Sequence, residues 1–230
     1  MDIIARNSYE ELARAVERDG FAIIPGCLDD SSIKRLSESL DDTQYGQRNL
    51  LRELIIQELA RSHEVRRVIA SVLGPICFAV KGILFNKTQK SNWKVPWHQD
   101  LTITVQERME AEGFGPWTIK GGVVNVQPRE DVLRGILAIR IHLDANDHLN
   151  GPLRVLPGSH KHGRLTAEQV AKWDKSESVE CLVPRGGALL MRPLLLHASS
   201  ACLLPKSRRV IHLEYSSLDL PCGLRWQTKI

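Results

Sequence analysis

The feature that most constrains this chain is a change of hydrophobic period at "GP", residues 74–75. Before it, apolar residues recur at helical spacing. Leu12, Ala15 and Val16 form one stripe within residues 8–19, and Ile33, Leu36 and Leu40 form another within "DDSSIKRLSESL". Ser8, with Glu11 three residues on, predicts a cap for the first helix, and the Asp and Ser residues at 29–32 offer caps for the second. "FAIIPG" (21–26) predicts a short strand stopped by Pro-Gly, and 49–60 and 64–73 predict two more helices. After residue 75 come short β-type runs separated by Gly, Pro, Asn and Asp: "ICFAVKGILFN", "WHQDLTITV", "VVNVQP", "ILAIRIHLD", "LRVLPG", "ECLV", "GALLMRPLLLHA" and "RVIHLEYSS". A helical prefix followed by such a series predicts a mainly β protein, with helices packed outside a β-sandwich or jelly roll. No linker divides it. One domain over residues 1–230 is expected, helical over about 1–74 and β over about 75–220.

The strands alternate in a telling way. In "LAIRIHLD", Ile139, Ile141 and Leu143 share one face and Arg140, His142 and Asp144 the other. In "RRVIHLEY", Arg209, Ile211, Leu213 and Tyr215 oppose Arg208, Val210, His212 and Glu214. The apolar faces suit packing under the helices. The polar faces either meet solvent or line an interior, where a charge needs a partner or a ligand.

Composition narrows the function classes. With 31 Lys+Arg against 27 Asp+Glu the net charge is +4, without a clustered basic run, so no nucleic-acid partner is expected and a small-molecule substrate, including an anionic one, is. No apolar run approaches the roughly 18 residues of a membrane span, and "MDIIARNSYEELARAVERDG" does not read as a signal peptide. The five cysteines contain no C-x-x-C pair, which argues against a zinc knuckle and for a reducing, cytoplasmic setting. The oligomeric state is left open.

"VPWHQD" (95–100) carries the chemistry. On an extended strand His98 and Asp100 point the same way and Gln99 the other. Such a pair is either a metal half-site or a surface hydrogen-bonded pair. A 2-His-1-carboxylate triad holds Fe(II) with open positions for other ligands, and it needs one more histidine from a distant strand. His142, His148, His160, His162, His197 and His212 are available; His197, at the end of the apolar run "LLMRPLLL" and before small polar residues, is the best placed. Eleven residues on, Arg208 offers a permanent, bidentate partner for a carboxylate such as the distal one of 2-oxoglutarate, and Ser199 a hydroxyl.

"VPWHQD", "IHLDANDHLNGPLRVLPGSHKHGRL", "GGALLMRPLLLHASS" and "SRRVIHLEYSS", with "DGFAIIPGCLDDSSIKRL" near the N-terminus, together resemble the phytanoyl-CoA dioxygenase family of non-haem iron, 2-oxoglutarate-dependent oxygenases. The resemblance covers nearly the whole chain. It implies a double-stranded β-helix (jelly-roll, cupin-like) core, Fe(II) on His98, Asp100 and His197, and 2-oxoglutarate and O₂ as co-substrates, with Arg208 and Ser199 at the distal carboxylate. It further implies that Ile83 lines the co-substrate pocket with Lys87 nearby, that Arg48 matches a basic pocket residue, and that Arg140 stands where many members have an aromatic. Arg140 is expected to face the same anion or the substrate. Halogenating relatives replace the carboxylate ligand with a small residue, so Asp100 implies hydroxylation or another oxidative outcome. The alternatives are a metal-dependent oxygenase or isomerase of this fold that does not use 2-oxoglutarate, and a non-catalytic ligand-binding relative. The Gly- and aromatic-rich segment 109–128 reads as a mobile lid or substrate loop, with Trp93, Trp97, Phe114, Trp117 and Gln127 as candidate substrate contacts.

Overall fold

The computed structural model describes residues 6–40, 46–87, 92, 94–202 and 208–230. The N-terminal part contains α1 (Arg6–Asp19), β1 (Phe21–Ile24), α2 (Asp30–Ser39), β2 (Gly46–Arg48), α3 (Leu54–Arg61) and α4 (His63–Leu73). Asp29 caps α2 by accepting the Ser32 N–H at 2.8 Å, and Ser62 caps α4 by accepting that of Val65. Two expectations shift. Helix α1 starts at Arg6, ahead of Ser8, and the helix expected over 49–60 opens instead with a 3₁₀ turn at Leu50–Arg52. Asn49 enters that turn at φ 60°, a left-handed conformation that an asparagine tolerates.

The rest is built from β3 (Phe78–Lys87), β4 (Val95–His98), β5 (Ile103–Val105), β6 (Trp117–Lys120), β7 (Val123–Val126), α5 (Glu130–Arg134), β8 (Ile136–His142), β9 (Leu153–Val155), α6 (Ala167–Lys172), β10 (Val179–Cys181), β11 (Ala188–Met191), β12 (His197–Ser199) and β13 (Arg208–Ser216). A six-stranded sheet runs β1-β11-β8-β13-β3-β2, and a four-stranded sheet runs β10-β9-β12-β4. All pairings in both sheets are antiparallel. This is the expected double-stranded β-helix.

The faces separate as the alternation predicts. Ile139, Ile141, Ile211, Leu213 and Tyr215 join Val16, Ile33, Leu36, Ile56 and Val65 of the helices in one buried cluster. Between the sheets, Ala138, Leu189 and Met191 of the large sheet meet Leu153, Val155 and Cys181 of the small one. Apolar filling therefore closes one end of the sandwich, and the polar residues of β3, β8 and β13 occupy the remainder of its interior.

Three sequence expectations need correction. "WHQDLTITV" is two strands: β4 belongs to the four-stranded sheet, and β5 to a third sheet ordered β5-β7-β6. "GALLMRPLLLHA" is likewise β11 and β12, in different sheets, so His197 begins a strand rather than ending one. Pro193 lies in the crossing between them, where its missing N–H costs no ladder bond. Finally, 109–128 is not a free lid. Phe114 is buried with Val126, Leu224 and Trp226, and β6 and β7 form a hairpin closed by Gly121–Gly122 at φ 58° and 74°, the two-residue turn that positive φ permits. Among the described residues no helix is long and apolar enough to cross a membrane.

Candidate metal centre

Strand pairing builds the centre. In the β4–β12 ladder His98 lies directly opposite His197, with ring centroids 4.1 Å apart. Each ring turns its Nδ1 toward the carbonyl two residues back, Pro96 O at 2.9 Å from His98 and Leu195 O at 2.8 Å from His197. A carbonyl only accepts, so Nδ1 carries the proton and Nε2 keeps a free lone pair directed at the other histidine's neighbourhood.

Asp100 lies just past β4, fixed by its N–H donating to Pro193 O at 2.9 Å. Its carboxylate oxygens stand 3.8 Å from His98 Nε2 and 3.6 Å from His197 Nε2. One ligand atom from each of the three residues lies within 4.8 Å of the others. Gln99 points away, donating to Gly163 O (2.8 Å) and Leu194 O (2.7 Å) and accepting the Leu165 N–H (2.8 Å). The side chain between the two candidate ligands thus pins two backbone segments, 163–165 and the one around Leu194, behind the centre.

Electrostatics prepare these groups for a cation. Burial opposes the charge on Asp100, but His197, His212, Lys81 and His98 around it more than offset that and hold its pKa well below the usual carboxylate range. Burial pushes His197 down to about 4, so its ring is neutral at physiological pH. Two imidazoles and one carboxylate, converging from one side, suit non-haem iron(II) and leave the cavity side open.

The three residues open onto a cavity of about 120 Å³ whose wall also contains Ile83, Lys87, Arg140, Ser199 and Arg208. Arg208 pairs across the ladder with Lys87, and both face inward. Lys87 Nζ donates to Ser199 Oγ (3.0 Å) and Ser200 O (2.7 Å), and Arg208 donates to Gly151 O. Gly151, at φ 68°, fits there because a Cβ would collide with the Ser200 carbonyl. Burial, reinforced by Arg208, pushes Lys87 down to about 8; burial and Arg140 push Arg208 down to about 10. Arg140 stacks over Phe85, 5.0 Å from the ring centroid, with Nη1 3.3 Å from His212 Nδ1. Three buried cations that share one cavity call for an anion.

The remaining expectations divide. Trp97 faces the other way from His98, packed with Leu156, Leu165 and Leu196, and Arg154 lies over its ring. Trp117 packs with the Phe114 cluster, and Gln127 bonds through its backbone to Gly115 and Pro116; neither lines the cavity. Arg48 borders a neighbouring cavity. Trp93 lies outside the described residues. Of the other histidines, His212 lines the cavity, 3.2 Å from Glu214, and His148 pairs with Glu180 at the surface. Lys81 and Phe85 were missed, although "KGILFNK" alternates Lys81, Ile83, Phe85 and Lys87 onto one face. Lys81 binds Glu214 at 2.7 Å.

Comparison with known proteins agrees with this geometry. The family described as Phytanoyl-CoA dioxygenase (PhyH) matches residues 16–210. Peroxisomal phytanoyl-CoA dioxygenase of Mus musculus is 26% identical over 177 residues, covering 69% of this chain and 45% of that protein. The chain thus spans less than half the length of the curated relatives it matches. Among solved structures, the epimerase SnoN in complex with Fe3+, alpha ketoglutarate and nogalamycin RO superposes with a TM-score of 0.69 at 16% identity, over 95% of this chain and 92% of that one. HygX from Streptomyces hygroscopicus, with nickel and 2-oxoglutarate bound, gives 0.66 at 15% identity, over 93% and 86%. These likenesses show the shared fold.

Proposed function

The chain belongs to the phytanoyl-CoA dioxygenase family, and on that premise we propose that it is an Fe(II)- and 2-oxoglutarate-dependent dioxygenase hydroxylating a small organic metabolite, with residues 1–230 as one catalytic domain. The observation that carries this reading is the sharing of one cavity by the His98–Asp100–His197 cluster and the cations Lys87, Arg140 and Arg208. A metal-binding or anion-binding role alone needs only half of that arrangement.

In this reading His98 and His197 supply Nε2 and Asp100 its carboxylate to Fe(II). The carbonyls of Pro96 and Leu195 hold the two rings in the ligating tautomer. Arg208, with the Lys87 ammonium and the Ser199 hydroxyl, receives the distal carboxylate of 2-oxoglutarate. Arg140, held by Phe85 and His212, adds positive charge along the same molecule. Ile83, Val95 and Leu153 supply apolar wall that limits water. When bound, iron and 2-oxoglutarate supply O₂ activation coupled to decarboxylation to succinate. The carboxylate at position 100 favours hydroxylation over halogenation. The five free cysteines support a reducing compartment, and the cytoplasm is the compartment proposed.

Anaerobic addition of Fe(II) and 2-oxoglutarate is expected to give a weak visible charge-transfer band in the wild-type protein. Folded His98→Ala and His197→Ala variants should lack it, and a normal band in either would refute the ligand assignment.

A further inference from the structure

A series of buried polar side chains crosses the wall of the metal cavity. Two of its members, Lys81 and Glu214, have no part in the proposed metal and 2-oxoglutarate contacts, yet both line that cavity. Arg208, His212 and Glu214 face it in turn along β13. Lys81 of β3 is the register partner of Glu214, and Arg140 of β8 is that of His212. Neighbours across the ladder are close enough for direct contact.

The hydrogen bonds run in one direction. Lys81 Nζ donates to Glu214 Oε1 at 2.7 Å, and His212 Nε2 lies 3.2 Å from the same oxygen. On the other side of the ring, His212 Nδ1 lies 3.3 Å from Arg140 Nη1. Burial opposes the charge on Glu214, but Lys81 and His212 more than offset it and keep the carboxylate ionised. An ionised carboxylate only accepts, and an arginine only donates. The ring is therefore fixed: Nε2 carries the proton and donates to Glu214, and Nδ1 accepts from Arg140. The other tautomer would set one N–H against another at Arg140 and turn a lone pair toward Glu214.

Phe85 supports the Arg140 end. Besides stacking on the guanidinium, its ring meets that of His212 edge-on, with centroids 5.8 Å apart. Arg140 forms no other hydrogen bond among the described residues, so its remaining donors are open to a ligand. Asp100 attracts its charge and Arg208 repels it, which sets it between the metal ligands and the Arg208 end. Hydrocarbon of similar volume often replaces a buried ion pair without loss of stability. A series of four polar side chains ending on an arginine with open donors supplies orientation instead.

We infer that Glu214 is a positioning residue: by accepting from His212 Nε2 it holds the imidazole in the tautomer that receives Arg140, and so aims the guanidinium at 2-oxoglutarate. This rests on the reading of the cavity as the 2-oxoglutarate site. Glu214 acts through two intervening side chains, and Lys81 keeps it charged.

Two paired variants of equal charge isolate the hydrogen bond. Lys81→Met/Glu214→Gln and Lys81→Met/Glu214→Leu both remove the ion pair, so neither leaves one ion buried alone. Only the glutamine keeps an acceptor for His212 Nε2. The dissociation constant of 2-oxoglutarate is read anaerobically from the Fe(II) charge-transfer band. The leucine form is expected to bind at least about tenfold more weakly than the glutamine form. Adding Arg140→Ala to both should shrink that ratio to below about twofold, because the coupling passes through Arg140. Equal binding by the two forms, or a ratio that survives Arg140→Ala as a merely structural role predicts, would overturn the inference. The ring gives a readout that needs neither metal nor a stable variant. In metal-free wild-type protein labelled with ¹⁵N-histidine, two-bond ¹H–¹⁵N correlations should show His212 as the Nε2–H tautomer. An Nδ1–H or doubly protonated ring would also overturn the inference. Failure of folded wild-type protein to give the band with Fe(II) and 2-oxoglutarate refutes the co-substrate reading instead, whereas the other adverse outcomes refute the positioning alone.

Discussion

On β8 and β13 the outward side chains Ile139, Ile141, Ile211, Leu213 and Tyr215 are completely buried beneath the N-terminal helices, while the inward Arg140, His142, Arg208, His212 and Glu214 are nearly as buried. The two faces therefore differ little in exposure and greatly in chemistry. Burial of the outer face removes hydrocarbon from water and drives folding. Burial of the inner face desolvates cations and leaves the Arg208 Nε without a hydrogen-bond partner among the described residues, a cost that folding alone does not recover. One face stabilises the fold, and the other stores binding capacity for an anion and a metal. Burial without chemistry would not distinguish core from site.

Substitutions on β13 can break that comparison. Leu213→Ala should have the largest effect, about 2–5 kcal/mol of lost stability, read as a melting temperature lower by roughly 5–15 °C, with 2-oxoglutarate affinity unchanged in the folded fraction. Arg208→Ala should do the reverse: the dissociation constant for 2-oxoglutarate rises by roughly 10–100-fold, while the melting temperature stays level or rises. A thermal loss matching that of Leu213→Ala would erase the distinction between the faces, and substrate oxidation left intact in Arg208→Ala would favour an oxygenase or isomerase that does not use 2-oxoglutarate. The smallest effect concerns pH. Lys87, pushed down to about 8, is cationic below that value and neutral above it. Affinity for the fully ionised 2-oxoglutarate should therefore fall as pH rises from about 7 to 9, by at most roughly tenfold. Lys87→Met should bind more weakly at the low end and lose this slope in calorimetric titrations.

The strands and both of their faces were legible because period-2 alternation is a local property: "LAIRIHLD" and "RRVIHLEY" show it directly. Arg208 and Arg209 fall on opposite faces of that alternation: Arg208 lines the cavity, and Arg209 pairs with Asp144 at 2.8 Å. Local pattern served less well where the chain changes sheets. The runs around Pro193 and around Gln99–Thr102 look continuous in hydrophobicity, because both halves of each are buried. The aromatics failed for a related reason. Trp97 and Trp117 are large amphipathic rings that suit either a site or a core, and whether such a ring faces a cavity or an apolar cluster depends on what packs there.

The alternation predicted a β-sandwich or jelly roll beneath helices, the family resemblance implied the double-stranded β-helix, and the "HQD" triplet with the His197–Arg208 spacing nominated the metal and carboxylate groups, since each depends on side-chain type and on distances along the chain. The tertiary arrangement added everything that depends on distance through space. It set His98 across from His197, tied both Nδ1 atoms to backbone carbonyls, and spent Lys81 on Glu214 while leaving Arg140 open to the cavity. Pairing between strands far apart in sequence decides which charges are neutralised and which face a ligand, and linear order does not contain that information.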